Sequence, residues 1–337
     1  MNLTGVSGIG GLGGAGAAAL AGTSSGLSDT AANPFEIFRF LATGLAGGAR
    51  GALVTMTARE GSSARSLGAH MAVLENGSYA GCFSGGCLEA AIVAEAQEAI
   101  RAGAPRTVRY GKGSPYIDLR LPCGGAMELL FLPDPARGKI DELAALLGAR
   151  RGAVVALSAA GDLIVEARWP RARAGWSGER FQVRHAPPLR LLIAGEGGEA
   201  PAMARLARAY GADVVLMSPN QAMVEADPPA LLLHSVATPP AIDFDPWTAL
   251  ALLFHNHEWE ATLLAAALDT PAFWIGAMGS RQTHAARMEE LAARGVPESA
   301  VARVQGPVGL IPAARDPATL ALSALAEIVG RYQERIA

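Results

Sequence analysis

Several features that mark whole classes of protein are scarce in this sequence. Aromatic residues make up only 6% of the 337 positions, so the chain has few side chains on which nucleic-acid bases could stack. The formal net charge is −3, which argues against binding to nucleic acid or to an anionic membrane by general attraction. There is no run of about 18 apolar residues of the kind that spans a membrane. We therefore expect neither a nucleic-acid nor a membrane partner.

Cysteine is also scarce. The three cysteines, Cys82, Cys87 and Cys123, are an odd number in a long chain, which fits a reducing cytoplasm better than a disulfide framework. The Gly- and Ala-rich stretch 7–28 is not preceded by the basic residues that begin a signal peptide. We expect residues 1–33 to form a flexible tail and the protein to be cytoplasmic.

The length and the apolar content predict two α/β domains. Half of the residues are hydrophobic, which is enough for two cores. Pro187-Pro188 is the expected boundary, because paired prolines resist both helix and central strand. Residues 34–186 read as a mixed α/β domain, with a helix that begins at Pro34 and a hairpin at Asn76-Gly77. In 187–337 apolar strands alternate with helices, which predicts a Rossmann-like domain with a parallel sheet covered on both faces.

The most distinctive stretch follows a strand expected to end near Ala80. The pair Gly85-Gly86 frees the backbone just before a helix expected to begin at about Cys87. Backbone N–H groups at a helix start attract anions and favour a thiolate in the first turn. A second glycine pair follows Cys123 and opens another strand. Both turns are candidates for holding an anionic ligand beside a thiol, whereas Cys82 reads as inert packing.

A dinucleotide-type motif, Gly195-x-Gly197-x-x-Ala200, lies between a predicted strand and a predicted helix. Its glycines would let the backbone approach a diphosphate. The acidic residue expected about 20 positions later is missing, since Ser218 occupies that region. Two alternatives are left open: an NAD(P)-dependent oxidoreductase, and a Rossmann-like fold retained for structure or for another phosphate ligand.

Two further loops follow predicted strands of the same sheet. His255-Asn256-His257-Glu258 could belong to a zinc hydrolase if Glu258, Glu260 or His284 supplied the missing ligands, or it could be an ordinary polar loop. The loop 276–284 contains Ser280, a good N-cap, and Arg281, which could grip a phosphate. Ordinary helix capping is the competing interpretation.

Taken together, these motifs resemble the XdhC/CoxI family, accessory proteins of molybdenum hydroxylases, over residues 53–332. The matching motifs are Ser84-Gly85-Gly86-Cys87-Leu88-Glu89, Cys123-Gly124-Gly125, the loop Gly61-Ser62…Arg65…Gly68, the block 276–284 and the block 306–310. The sequence departs from the family pattern at Ala64, Ser218, Asn256 and Ile311, and three of these departures lie in the second domain.

The resemblance implies a non-catalytic chaperone that binds molybdenum cofactor and supports its sulfuration by a cysteine desulfurase. Such a protein then inserts the cofactor into the apoenzyme of a xanthine dehydrogenase or CO dehydrogenase type molybdenum hydroxylase. Whether the cofactor is a mononucleotide or a dinucleotide form is left open, as is a homodimer.

The resemblance also implies a set of site residues. Cys87 and Cys123 would lie near the metal, Glu89 would orient a pterin N–H, and Arg65 or Arg281 would pair with phosphate. The cofactor-binding set is Arg65, Ser84, Gly85, Gly86, Cys87, Glu89, Cys123, Gly124, Gly125, Gly195, Gly197, Gly279, Ser280, Arg281 and His284.

Overall fold

The computed structural model describes residues 33–61, 65–84, 88–114 and 124–337. Residues 1–32 of the expected tail therefore lie outside the described residues, as do Gly85, Gly86, Cys87 and Cys123, whereas Asn33 is described. None of the described helices is both long and apolar enough to cross a membrane.

The N-terminal half of the described chain contains two antiparallel sheets. Sheet A consists of β1 (Gly51–Glu60), β2 (His70–Leu74), β3 (Tyr79–Ala80), β4 (Arg106–Gly111) and β5 (Ala126–Pro133), in the order β3-β2-β1-β5-β4. Sheet B consists of β6 (Ala153–Ser158), β7 (Leu163–Glu166), β8 (Ala174–Ser177) and β9 (Arg180–His185), in the order β7-β6-β9-β8. Three helices accompany them: α1 (Pro34–Ala46), α2 (Glu89–Ala102) and α3 (Arg137–Gly148).

Sheet A is covered on both faces because its strands alternate between two cores. Leu53 and Leu132 face α1, α3 and sheet B, while Val54 and Phe131 face α2. The helix predicted at Pro34 is confirmed, with the Asn33 side chain accepting from Glu36 N at 3.0 Å. The Asn-Gly hairpin is also confirmed, as it joins β2 to β3.

The C-terminal half forms one six-stranded parallel sheet, sheet C. Its strands are β10 (Arg190–Gly195), β11 (Asp213–Ser218), β12 (Leu231–Leu232), β13 (Thr248–Leu253), β14 (Trp274–Ala277) and β15 (Val304–Gln305). Its helices are α4 (Glu199–Tyr210), α5 (Gln221–Ala226), α6 (Glu260–Leu268), α7 (Arg281–Ala293), α8 (Glu298–Val301) and α9 (Pro317–Ile336).

The strand order β12-β11-β10-β13-β14-β15 reverses between β10 and β13, as in a Rossmann fold. Leu191 and Ile193 of β10 pack in one core, and Leu192 and Ala194 pack in another, so both faces of the sheet are buried. This confirms the predicted fold class of a mixed α/β region followed by a Rossmann-like parallel sheet. The exact division into domains at 34–186 and 187–337 stays a prediction.

Two details of the N-terminal half differ from what the sequence predicts. Helix α2 begins at Glu89, with Leu88 as its N-cap, two residues after the predicted start at about Cys87. The arginine-rich stretch before His185 contains the β8–β9 hairpin, which was not predicted. Phe181 and Val183 are buried at alternate positions of β9, while of the two flanking arginines Arg180 is exposed and Arg184 is buried.

A pair of buried histidines joins sheet A to sheet B. The Nε2 atoms of His70 and His185 lie 3.0 Å apart, and His70 Nδ1 lies 2.8 Å from Thr55 Oγ1. Phe38 packs against both rings. Burial lowers the pKa of His70 to about 3, and burial, His70 and Arg173 lower the pKa of His185 well below its ordinary value. Both rings are therefore neutral at pH 7.

We expect this pair to make the protein less stable in mild acid. An unfolded histidine has a pKa of 6.5, so between that pH and the folded pKa the unfolded state binds more protons. Stability is complete above pH 6.5 and is lost below it. For His70 alone the free energy of unfolding should fall by about 2 kcal/mol between about pH 7.5 and pH 5, measured by urea unfolding.

The variant His185→Gln should show a shallower pH dependence, and His234→Gln serves as the control because His234 is exposed. Equal slopes for the parent and His185→Gln would contradict this origin of the acid sensitivity.

Candidate functional site

Several loops of the N-terminal half meet at one edge of sheet A. The antiparallel register places Glu60, the last residue of β1, opposite Ala126, the first residue of β5, and Ala126 opposite Gly111 at the end of β4. A Cβ built on Gly61 would lie 3.4 Å from the Cα of Gly125, and Lys112 N donates to Gly125 O at 3.1 Å. We call this the loop edge: residue 61, residues 65–69, 81–84 and 88, residues 112–114, and residues 124–125.

The glycine at position 61 is needed here for its backbone conformation. Its φ is +71°, in the left-handed region that residues with a side chain rarely adopt. Gly124 has a φ of +66° on the neighbouring loop. Both glycines therefore allow a tight turn at the loop edge. Gly61 begins the loop that contains Arg65, and Gly124 follows Cys123.

Glu89 organises the loop that leads into α2. Its Oε1 accepts from Phe83 N at 3.0 Å and from Ser84 N at 2.8 Å, and its Oε2 accepts from Ser84 Oγ at 2.7 Å and from Leu88 N at 3.2 Å. Burial alone would raise the pKa of Glu89, but the hydrogen bonds, led by those from Ser84, lower it to about 2. Both predicted site residues, Ser84 and Glu89, thus bind each other and the backbone of residues 83, 84 and 88.

Arg65 connects two loops of the same edge. Its Nε donates to Cys82 O at 3.2 Å, and its Nη2 lies 2.7 Å from Cys82 Sγ. Cys82 is half-buried, so it is not sealed in a core. The sequence analysis interpreted Cys82 as inert packing and did not anticipate its contact with Arg65, 17 positions earlier.

The two cysteines predicted to lie near the metal, Cys87 and Cys123, are outside the described residues. Their described neighbours Leu88 and Gly124 belong to the loop edge. Leu88 N donates to Ser84 Oγ at 2.9 Å, and Gly124 precedes Gly125, which accepts from Lys112 N. Among the residues that the structure describes, no three His, Cys, Asp or Glu side chains are grouped to hold a metal ion. The assignment of the two thiols to the metal stays a prediction.

The carboxyl edge of sheet C contains a cavity of about 420 Å³. It lies at the reversal of strand order, where parallel α/β sheets bind ligands. The lining includes Glu199, His255, His257, Gly279 and Asp316. Ser280, Arg281 and His284, which the sequence assigned to the same site as Gly279, do not line it.

The glycine turn after β10 is occupied by the chain's own carboxylate. A Cβ built on Gly197 would lie 2.4 Å from Glu199 Oε2, and a Cβ on Gly195 would lie 2.6 Å from Leu253 O. Glu199 is buried and its Oε2 lies 3.4 Å from His255 Nε2. These contacts give both glycines a packing reason, and a carboxylate there would repel a diphosphate.

The turn after β14 is a helix cap. Ser280 Oγ accepts from Thr283 N at 3.1 Å, which confirms the predicted N-cap of α7. His284 is half-buried, and its pKa is lowered by burial and by Arg287. A Cβ on Gly306 would lie 2.3 Å from His284 Nδ1, so this histidine is packed against the loop that follows β15.

A buried ion pair that the sequence did not reveal holds His257 in place. Arg287 Nε and Nη2 donate to the two carboxylate oxygens of Glu260 at 2.9 and 3.1 Å, and His257 Nδ1 lies 3.1 Å from Glu260 Oε2. Burial raises the pKa of Glu260, while Arg287 and His257 act against it. His255 and His257 therefore each face a different glutamate, which gives no support to a shared zinc ion.

Comparisons with known proteins agree with this architecture. A family model described as the XdhC Rossmann domain matches residues 191–328, and one described as the XdhC and CoxI family matches residues 45–111. The chain is 38% identical over 295 residues to the molybdenum cofactor insertion chaperone PaoD of Escherichia coli K12, covering 87% of this chain and 86% of PaoD.

A second protein of Escherichia coli K12, the uncharacterized protein YqeB, is 29% identical over 151 residues, which are 43% of this chain and 28% of YqeB. The crystal structure of a xanthine dehydrogenase from Bacillus halodurans matches with a TM-score of 0.71 and 23% identity, over 90% of this chain and 97% of that one. That likeness shows a shared fold. The motifs, the two matched regions and the relationship to PaoD together establish that this chain belongs to the XdhC/CoxI family.

Proposed function

We propose that this protein is a molybdenum cofactor insertion chaperone that holds the cofactor at the loop edge of sheet A. The proposal is supported by the 38% identity to PaoD, a molybdenum cofactor insertion chaperone, across 87% of the chain. The structural observation that carries it is the contact of Arg65 with Cys82 beside the hydrogen bonds that Glu89 accepts from residues 83, 84 and 88. Cys82 and Glu89 flank the Gly85-Gly86-Cys87 segment in the sequence. Arg65 and Cys82 lie at the same edge of sheet A as Gly124-Gly125.

The chemistry of this edge suits the cargo. Molybdenum accepts soft sulfur donors, which Cys87 and Cys123 would supply. The cofactor's phosphate is an anion, which suits backbone N–H groups of glycine turns and the guanidinium of Arg65. Glu89 is committed to the backbone of its own loop, so we assign it the role of shaping the site.

The proposal extends to sulfuration and delivery. A cysteine desulfurase would supply the terminal sulfur while the cofactor is held, and the apoenzyme of a xanthine dehydrogenase type molybdenum hydroxylase would receive it. Both partners act in the cytoplasm, where we place this protein. The cofactor is cargo here and takes part in no reaction of this chain.

Transfer to a client tests the proposal. Purified protein loaded with molybdenum cofactor, mixed anaerobically with the apoenzyme of such a hydroxylase, should restore more hydroxylase activity than the same amount of free cofactor. Equal activity from free cofactor and from loaded protein would count against a chaperone role.

The alternative of an NAD(P)-dependent oxidoreductase is tested by measuring whether the carboxyl edge of sheet C binds a nicotinamide cofactor. We expect titration with NADH or NADPH to show no saturable binding, because Glu199 fills the glycine turn and Glu196 Oε1 accepts from Asn256 N beside it. Fluorescence titration of the purified protein measures this. Saturable binding at micromolar concentration would return the oxidoreductase to consideration.

A further inference from the structure

A second cavity, of about 520 Å³, lies between the N-terminal half and sheet C with its helices. One wall comes from the loop edge and β9, and the other comes from the end of α4 and from α9. Its polar lining includes Ser66, His70, Cys82, His185, Tyr210 and Gln333. The volume is in the range of pockets that hold an organic ligand, well above the room a bare ion needs.

The charged side chains in the described lining of this cavity are all positive. Arg65, Arg173 and Arg184 line it, and none of the lining residues that the structure describes is an aspartate or a glutamate. Arg173 forms no ion pair with any described residue, whereas about half of the described arginines pair with a carboxylate. The described lining therefore favours an anion and contributes no aspartate or glutamate side chain to compete with it.

Arg184 adds a buried cation to this wall. It is 8% exposed and donates to backbone oxygens of Pro170, Arg171, Ile336 and Ala337. Its Nε is buried without a hydrogen-bond partner among the described residues. Burial lowers the pKa of Arg184, and the neighbouring Arg173 lowers it further. A bound anion would relieve the repulsion between these two guanidinium groups.

The cavity is continuous with the loop edge, because Arg65 and Cys82 belong to both. A ligand whose metal end lies against the loop edge can therefore extend its other end between the two halves. The neutral pair His70 and His185 forms part of the wall and adds hydrogen-bonding atoms without charge.

We propose that this cavity binds the phosphate-bearing end of the cofactor, with Arg173 as the residue that recognises the phosphate. This inference rests on the proposed function and adds to it where the organic phosphate lies. It also makes the contact between the two halves part of the binding site, since neither half supplies the whole cavity.

Calorimetry with the full-length protein tests the inference, using inorganic pyrophosphate and isolated molybdenum cofactor as separate ligands. Arg173→Gln should weaken binding of both by about tenfold, because a charge-assisted contact to phosphate is lost. Arg173→Lys should recover part of the loss. The matched control is Arg171→Gln, since Arg171 is also exposed, lies two positions away and does not line the cavity.

The outcomes separate this inference from the proposed function. If the parent binds cofactor and both glutamine variants bind it equally well, the inference is overturned while the chaperone role stands. If the parent binds pyrophosphate in an Arg173-dependent way but binds no cofactor, the cavity is an anion site and the chaperone role fails. Melting temperatures within about 2 °C of the parent would show that each variant is folded.

Discussion

A Cys87→Ser variant is expected to retain at most about one tenth of the molybdenum cofactor that the parent retains under the same anaerobic conditions. The reason is that a serine hydroxyl is a much poorer ligand than a thiolate for a metal that accepts soft donors. The fold should persist, because the core of α2 is built from Leu88, Ile92 and residues beyond them. Molybdenum per mole of protein after gel filtration measures the effect.

The comparison variant for this experiment is Cys82→Ser. A serine oxygen can still accept from Arg65, which now lies against Cys82 Sγ, so we expect a much smaller loss of cofactor. Equal retention by Cys87→Ser and the parent would show that Cys87 is not the thiol that holds the metal.

Glu89→Gln is expected to lower the free energy of unfolding by about 3 kcal/mol and to reduce cofactor retention as well. The carboxylate accepts on both oxygens, from Phe83 N and Ser84 N on Oε1 and from Ser84 Oγ and Leu88 N on Oε2. A glutamine has only one carbonyl oxygen, so its amide N–H groups would face backbone donors on the other side. Urea unfolding and the molybdenum assay measure the two effects.

The control for this variant is Glu98→Gln on the same helix. Glu98 is exposed and forms a surface ion pair with Arg101 one turn later, so its loss should cost less than about 1 kcal/mol. The stabilisation from Glu89 should also depend on pH in a defined direction. Because its folded pKa is about 2 and its ordinary value is 4.5, the stabilisation is present above pH 4.5 and is lost as the pH falls towards 2. Indistinguishable stabilities of the Glu89 and Glu98 variants would contradict the role given to Glu89.

Local signals in the sequence predicted most of the secondary structure. Asn33 before Pro34, the Asn76-Gly77 turn and Ser280 each specify a cap or a turn through contacts within a few residues. Alternating apolar strands and helices likewise predicted sheet C. These features can be predicted because they depend on neighbours along the chain.

The parts that were missed depend on distant residues or on mixed signals. The β8–β9 hairpin carries arginines on a pattern of alternating burial, and the charge obscured the pattern. The lining of the cavity between the two halves includes Arg65, Arg173 and Tyr332, which come from three remote segments, so no local motif predicts the cavity. The Glu260–Arg287 pair is separated by 27 positions and by a strand.

The glycine motif after β10 shows how much a correct local prediction leaves open about function. Gly195 and Gly197 lie at the turn between β10 and α4, as a dinucleotide site would require, yet the space beside Gly197 holds Glu199. Only the position of the Glu199 side chain distinguishes a glycine turn that is open to a diphosphate from one that the chain itself fills. The family resemblance implied site residues in both halves of the chain, and the N-terminal ones include Glu89 and Arg65 of the candidate site.

Anaerobic gel filtration of the full-length protein with isolated molybdenum cofactor tests the central claim most directly. The account predicts that molybdenum elutes with the protein at close to one atom per chain, and that added free cofactor does not strip it during the run. Molybdenum found only in the small-molecule fractions, with the protein still folded, would contradict it.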